Sequence, residues 1–187
     1  LYTFAKGIHS HAEGRGSVSL GEGSHAEGLN TLATGSYSHA EGYFSVASGS
    51  FSHAEGSAYA LGDYSHAEGG MIILPGIGTE FTPVSVAYGE SSHAEGGGTQ
   101  AVANYSHSEG FGTIAKGQGS HAEGFGTIAS GSYQHVAGKF NLRNNDFSLF
   151  VIGDGTDESD LTRGDILRVN SGSNIGTGRV EVTGSFA

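Results

Sequence analysis

The sequence predicts an all-β fold, a parallel β-roll in which short strands stack coil upon coil. Three observations predict it: a 14-residue repeat, 34 glycines in 187 residues, and only 2 prolines. Interior glycine costs a helix about 1 kcal/mol relative to alanine, so a helical repeat is excluded. Segments that alternate large and small side chains, each closed by glycine, instead have the period of short strands joined by tight turns.

A recurring histidine marks the repeat. Successive motif histidines are 14, 14, 14, 13, 27, 14, 14 and 14 residues apart, and 27 corresponds to two repeats. Seven residues before each histidine lies a second, mostly large side chain, as at Val18, Leu32 and Ile114. A small residue follows the large one, and another follows nearly every histidine. Each unit therefore has two related halves, roughly S-V-A-x-G and S-H-A-E-G, which predict two strands and two turns.

A 14-residue coil is too narrow to build a large core. Its interior holds little more than alanine and serine side chains, and nine to ten coils at about 4.8 Å give a rod on the order of 45 Å long. Thin bodies keep a high ratio of surface to volume. The large column, including Val46 and Ile128, must therefore be covered by other copies of the chain. We expect an obligate homo-oligomer.

Composition excludes several classes of partner. The formal net charge of −11 argues against nucleic acid and anionic membranes. No apolar stretch approaches the roughly 20 residues that span a bilayer, and no signal peptide is visible. We expect no nucleic-acid partner, no membrane insertion and no cofactor.

The repeats resemble a known family. The stretches GSVSLGEGSHAEG, FSVASGSFSHAEG and GTIASGSYQHVAG resemble the repeats in the heads of YadA-like trimeric autotransporter adhesins, whose signature is S-V-A-I-G. The SHAEG variant more closely resembles repeats of phage and prophage tail fibres and appendages. There such repeats often precede a segment like His135–Asn141 and Phe150–Thr156. The resemblance implies a left-handed β-roll assembled as a homotrimer.

Two domains are expected. Residues 1–138 form the β-roll head repeats, with an insertion at 70–84, and residues 139–187 form a small β-rich capping and trimerisation segment. After Gly138 the repeat stops, and the apolar runs Phe147–Ile152 and Ile166–Val169 are typical of buried strands. Stacked strands leave unpaired backbone groups at their ends, which a cap would cover. Autoproteolytic processing near the C-terminus stays open.

The histidine and glutamate of each SHAEG unit lie two residues apart and so share one face of a strand. A metal column or a catalytic acid–base pair is one interpretation, since imidazole binds Zn²⁺ and Ni²⁺. We favour a structural ladder of hydrogen bonds, because a catalytic site does not need eight copies. We predict no catalytic residue and no metal site here. The ladder comprises His11, Glu13, His25, Glu27, His39, Glu41, His53, Glu55, His66, Glu68, His93, Glu95, His107, Glu109, His121 and Glu123, and the same register continues to His135.

The insertion interrupts the repeat with the only methionine and both prolines of the chain. We favour a loop, because proline cannot donate to a strand ladder, and the alternative is a degenerate coil. Its apolar residues are too hydrophobic for a freely solvated loop. The candidate receptor-contact residues are Met71, Ile72, Ile73, Leu74 and Phe81.

Three weaker features remain. Asp154, Asp157 and Asp160 are weak Ca²⁺ candidates, with an acidic solvated loop as the favoured interpretation. The tripeptide Arg163–Asp165 matches an integrin motif by chance. An aromatic column that includes Tyr37 and Phe51 is expected to pack as a corner stripe rather than to stack on sugars.

These features predict a structural and receptor-binding segment of a trimeric phage tail fibre or appendage that mediates host attachment. The first alternative is the head of a bacterial trimeric autotransporter-type surface adhesin. The second is a tailspike-type polysaccharide-degrading enzyme, which we disfavour because the repeats offer only identical copies of each residue. The expected partners are two further copies of the chain and a host receptor, glycan or protein. The expected location is the virion tail, or the cell surface and extracellular space.

Overall fold

The computed structural model describes residues 2–70, 84–143, 147–159, 161–171 and 177–183. Every regular element within these ranges is a β-strand, and the strands form one sheet of nine and one of twelve. Over the same ranges no helix is long and apolar enough to cross a membrane.

The strands follow the repeat along the chain. In chain order they are β1 (Phe4–Ala5), β2 (His11–Ala12), β3 (Val18–Ser19), β4 (His25–Leu29), β5 (Leu32–Ala33), β6 (His39–Tyr43), β7 (Val46–Ala47), β8 (His53–Ala54), β9 (Ala58–Ala60), β10 (His66–Gly69), β11 (Ser85–Ala87), β12 (His93–Gly97), β13 (Gln100–Ala101), β14 (His107–Phe111), β15 (Ile114–Ala115), β16 (His121–Phe125), β17 (Ile128–Ala129), β18 (His135–Lys139), β19 (Ser148–Asp154), β20 (Asp165–Asn170) and β21 (Arg179–Val182). The odd-numbered strands to β17 form the first sheet. The even-numbered strands to β18 form the second sheet, followed by β19, β20 and β21.

Within the repeats each coil adds one strand to each sheet. Neighbouring strands are parallel, and equivalent residues face each other, as Leu32 faces Val46 and His39 faces His53. One repeat of about 14 residues therefore forms one coil. The predicted parallel β-solenoid is confirmed. Assembly into a homotrimer stays a prediction.

The interior of the roll is filled by small side chains. The alanines at the inward positions of both sheets, such as Ala33 and Ala40, have no exposed surface. Buried serines close the first turn, where the Ser38 hydroxyl donates to the Gly35 carbonyl at 2.8 Å. An alanine and serine core buries little apolar area per residue, so stacking depends on backbone pairing.

One glycine column sets how closely the coils approach. The glycine after each ladder glutamate has a positive φ, for example 110° at Gly28. A Cβ at Gly28 would lie 2.2 Å from the carbonyl oxygen of Gly42 in the next coil. Glycine is therefore required here twice, for its backbone conformation and for the contact between coils.

The coils on either side of the insertion are direct neighbours. Strand β10 pairs with β12, so that His66 faces His93 with no coil between them. Residues 71–83 lie outside the described residues, and with them the candidate contact residues Met71, Ile72, Ile73, Leu74 and Phe81.

Beyond the repeats the second sheet gains further strands, whereas the first sheet ends at β17 in the part of the chain that the structure describes. Strand β19 pairs in parallel with β18, and β20 and β21 add antiparallel strands. The two apolar runs that predicted strands lie in β19 and β20. Residues 148–170 therefore extend one sheet past the last coil.

Candidate functional site: the histidine–glutamate ladder

The histidine and glutamate of each SHAEG unit point outward from the second sheet. In β6 the residues His39 and Glu41 are partly exposed, whereas Ala40 between them is fully buried. This alternation is the two-residue period of a strand. Because the strands are in register, the outward residues form two parallel columns along the roll.

The imidazole rings stack along the roll. From His25 to His121 neighbouring ring centroids are 4.6–4.9 Å apart and the rings are within 10° of parallel. At the C-terminal end Phe150 of β19 contacts His135 edge to face, with centroids 5.2 Å apart. An aromatic ring thus follows the last histidine of the column.

Glutamate side chains link successive histidines. The Nε2 atom of His39 lies 3.2 Å from Oε1 of Glu27 in the preceding coil, and the same distance separates His53 from Glu41. Other pairs across coils, His66–Glu55, His93–Glu68, His121–Glu109 and His135–Glu123, have distances from 3.3 to 3.9 Å. About a third of each side chain is exposed. The structure thus places the sequence-predicted columns side by side, and their structural role stays a prediction.

The first coil is looser than the rest. Glu13 is 57% exposed, whereas Glu27 and Glu41 of the inner coils are each 35% exposed. The rings of His11 and His25 are tilted by 65°. Only the inner coils, with a neighbour on each side, hold the geometry of a regular column.

Like charges perturb the carboxylates. A hydrogen bond shared with Glu55, together with burial and the neighbouring Glu95, raises the pKa of Glu68 to about 7. The same hydrogen bond lowers the pKa of Glu55, and a hydrogen bond with Glu95 lowers the pKa of Glu109. Carboxylates stacked this closely cannot all ionise without cost, so Glu68 holds its proton more tightly than usual while its neighbour Glu55 is more acidic than usual.

Two histidines of the ladder are held towards their neutral form. Burial lowers the pKa of His66 and of His107, and repulsion from the histidines above and below lowers both further. Neutral imidazole keeps one ring nitrogen free to accept a hydrogen bond or bind a metal ion.

A groove runs beside the glutamate column. It has a volume of about 460 Å³ and is lined by Glu95, Glu109, Gly110, Glu123, Gly124 and Gly138. Its glycines carry no side chain and so leave the carboxylates open on one side. The groove is therefore lined by carboxylates and glycines.

Exposed aromatic rings lie at the first turn of the coils. Tyr37, Phe51 and Tyr64 have φ of 57–58° and stack on each other with centroids 5.1–5.2 Å apart. Each is more than half exposed, so the expected packed stripe is only partly correct. The rings cover each other's faces and present their edges to solvent.

The acidic and RGD-like segments have internal partners. The Arg163 guanidinium donates to the carbonyls of Gly126 and Asn141 at 3.0 Å, and Asp165 accepts from the Leu142 amide at 2.8 Å. Both are buried, which is unsuited to integrin recognition.

The weak Ca²⁺ candidates also have partners within the chain. Asp157 accepts hydrogen bonds from the Ser159 amide and the Thr162 hydroxyl, which lower its pKa. Asp154 pairs with Lys139 at 3.6 Å. Asp160 lies outside the described residues.

Sequence reasoning missed two amide side chains that finish the roll. The Gln134 Oε1 atom accepts from the amides of Ser130 and Gly131 at 2.8 and 3.1 Å. The Asn141 Oδ1 atom accepts from the Ile128 amide at 2.7 Å. Both stand where other coils have serine or threonine, and this departure in the last coil was the available signal.

Comparison with known proteins supports the repeat family locally. A family model described as the YadA head domain repeat matches two overlapping stretches, residues 12–38 and 26–52. A search of curated proteins gave no match. Residues 12–52 are thus similar to YadA head repeats.

Proposed function

We propose that this chain is a head segment of a trimeric adhesin that acts at a cell surface or in the extracellular space. The observation that carries the proposal is the YadA head repeat match at residues 12–38 and 26–52, together with continuation of the same coil to residue 138. The match favours the surface-adhesin alternative over the phage tail fibre that the SHAEG variant suggested first.

The surface of the single chain supports assembly with further copies. The interior encloses only small side chains, while large ones remain outside. Phe44, Phe111 and Phe125 are 42–46% exposed, and Leu32 and Val46 are partly exposed. Contiguous outward apolar columns of this kind are typical of interaction surfaces. A second and third copy would cover them and thicken an otherwise slender body.

The aromatic turns supply a receptor surface. Tyr37, Phe51 and Tyr64 are held by a backbone stacked in register, and rigid scaffolds commonly carry binding residues on their turns. Their ring faces are occupied by one another, so a receptor meets ring edges and the tyrosine hydroxyls. Such a surface fits hydrogen-bonded contact better than stacking on sugar rings.

A cell-binding assay tests the proposal. Fluorescently labelled protein is offered to cultured animal cells and to a panel of bacterial strains, and bound label is measured against concentration. An adhesin head gives saturable binding to animal cells. Saturable binding confined to bacterial strains would instead support the phage fibre.

A variant tests the receptor surface. Ser91 occupies the aromatic column with φ of 53°, which shows that serine fits this turn. The triple change Tyr37→Ser, Phe51→Ser and Tyr64→Ser should weaken binding at least tenfold. Tyr88→Ser, an exposed aromatic outside the column, is the control and should leave binding unchanged. Equal binding by both variants would place the receptor site elsewhere.

A further inference from the structure

The glutamate column is not neutralised by lysine or arginine. In the described part of the chain the ion pairs of these carboxylates are all with histidines, as for Glu41 with His53 and Glu109 with His121. With histidine counted as neutral, the whole chain has a formal net charge of −11. The face thus carries excess negative charge, which favours a bound cation.

The spacing of imidazole and carboxylate fits a shared metal ion. Ligand atoms about 2.1 Å from one ion, at tetrahedral or octahedral angles, lie about 3.0–3.4 Å apart. The Nε2–Oε1 distances are 3.2 Å for His39–Glu27 and for His53–Glu41. They are 3.4 Å for His121–Glu109 and 3.3 Å for His135–Glu123. Four pairs therefore already have the separation that two ligands of one ion require.

Two stacked histidines do not fit one ion in this arrangement. Parallel rings 4.7 Å apart, as for His25 and His39, place their Nε2 atoms about as far apart. Ligands on opposite sides of one ion are at most about 4.2 Å apart at bonds of about 2.1 Å. Each ion would therefore take one histidine and one glutamate, with its other positions filled by water or by a neighbouring subunit.

Two further observations point to a ligand at this face. The Nε2 atoms of His25, His66, His93, His107 and His121 lack a hydrogen-bond partner. The glycine-floored groove lined by Glu109 and Glu123 leaves space for an ion with its waters next to the carboxylates.

We propose that the ladder binds first-row divalent transition-metal ions of the Zn²⁺ class, each through one histidine Nε2 and one glutamate carboxylate. The imidazole ligand favours Zn²⁺, Ni²⁺ or Cu²⁺ over Mg²⁺ and Ca²⁺, which prefer all-oxygen sites. Ions in adjacent coils would lie about 4.8 Å apart and repel each other. The chain therefore binds several ions, fewer than one for every coil.

Calorimetric titration of tag-free, chelator-treated protein with ZnCl₂ tests the proposal. Two or more equivalents per chain are expected, with no heat from MgCl₂ under the same conditions. Co²⁺ should give the visible absorption of nitrogen and oxygen ligation. A wild-type protein that binds no Zn²⁺ at millimolar concentration overturns the proposal.

Variants locate the ions. The double change His39→Gln and His53→Gln should lower the stoichiometry by at least one ion per chain. Glu27→Gln with Glu41→Gln should do the same while keeping every imidazole. His9→Gln is the matched control, because His9 lies at an exposed turn outside the ladder. Circular dichroism in the presence of chelator confirms that each variant folds. If one double variant unfolds, the metal stoichiometry of the other double variant tests the proposal. Unchanged stoichiometry in a folded ladder variant overturns the proposal.

Discussion

The inner coils and the last coil satisfy the same backbone groups by different means. In an inner coil the Leu32 amide donates to the Ser45 carbonyl at 2.9 Å, and the Thr34 amide to the Ala47 carbonyl at 2.9 Å. At the equivalent positions of the last coil, the amides of Ile128 and Ser130 donate to side-chain amide oxygens. A repeat thus stacks through its backbone, and its end is closed by side chains that imitate the next peptide group.

This difference between the inner coils and the last coil explains why Gln134 and Asn141 carry amide side chains. Parallel stacking leaves N–H groups of the last coil facing away from the roll, and buried unpaired N–H groups are costly. A serine or threonine hydroxyl is too short to replace the missing strand. Asparagine carries the same acceptor and donor as a peptide, and Asn141 pairs with both the amide and the carbonyl of Ile128.

Backbone contact between inner coils should be the most sensitive point of the molecule. Gly110→Ala would place a Cβ 2.2 Å from the Gly124 carbonyl oxygen at φ of 103°. A loss of about 3 kcal/mol or more in the free energy of unfolding is expected. Chemical denaturation measures it. Gly112→Ala, with a positive φ but no atom within 4 Å, should cost about 1 kcal/mol, and equal losses would refute the contact.

Side-chain amides should matter most in the last coil. Asn141→Leu removes the partners of the Ile128 amide and carbonyl and should cost about 3 kcal/mol. Thr127→Val changes the same column one coil earlier, where only a hydroxyl bond to the Glu123 carbonyl is lost, and should cost about 1 kcal/mol. Hydrogen exchange of the Ile128 amide should accelerate only in the first variant. Unchanged exchange there would mean that Asn141 does not close the sheet.

The ladder histidines that form a hydrogen bond with a glutamate should contribute a smaller increment of stability. His53→Val removes the link to Glu41 and should lower the free energy of unfolding by about 1 kcal/mol in chelator. His9→Ser, outside the ladder, should have no measurable effect, because Ser91 shows that serine fits the positive φ of this column. If His→Val variants melt no lower and keep their register, the ladder is not a structural element.

The smallest expected effect is a pH dependence. With a pKa of about 7 when folded and an ordinary value of 4.5, Glu68 holds its proton more tightly in the folded chain. Its contribution to stability is present at acidic pH and is lost as the pH rises to about 7. In chelator at pH 8, Glu68→Gln should therefore melt roughly a degree or two higher than wild type.

The carboxylate of Glu109 should give a pH dependence of stability with the opposite sign. The pKa of Glu109 is lowered by its hydrogen bond with Glu95, so its contribution is present above pH 4.5 and is lost on acidification. Glu109→Gln should therefore melt slightly lower than wild type at pH 8. Shifts of the same sign in both variants would contradict the opposite pKa shifts of Glu68 and Glu109.

The sequence was sufficient for the repeated part of the fold. Histidines at intervals of mostly 14 residues and glycine after nearly every half-coil determine the register, because each strand must pair with its copy. The outward His–Glu columns follow from the two-residue period alone. Beyond the last repeat the periodicity predicts no structure. The roles of Gln134 and Asn141 depend on the end of the first sheet at β17, which the structure shows. The contact of Phe150 with His135 is likewise a tertiary arrangement without a sequence pattern.

The mass of the protein in solution tests the adhesin account most directly. Sedimentation equilibrium at micromolar concentration should give a species three times the 19.0 kDa chain, about 57 kDa. Replacing two outward apolar residues, Leu32→Glu with Val46→Glu, should shift this species towards monomer, whereas Leu20→Glu at an exposed turn should not. A wild-type protein that stays folded at 19.0 kDa would contradict the account.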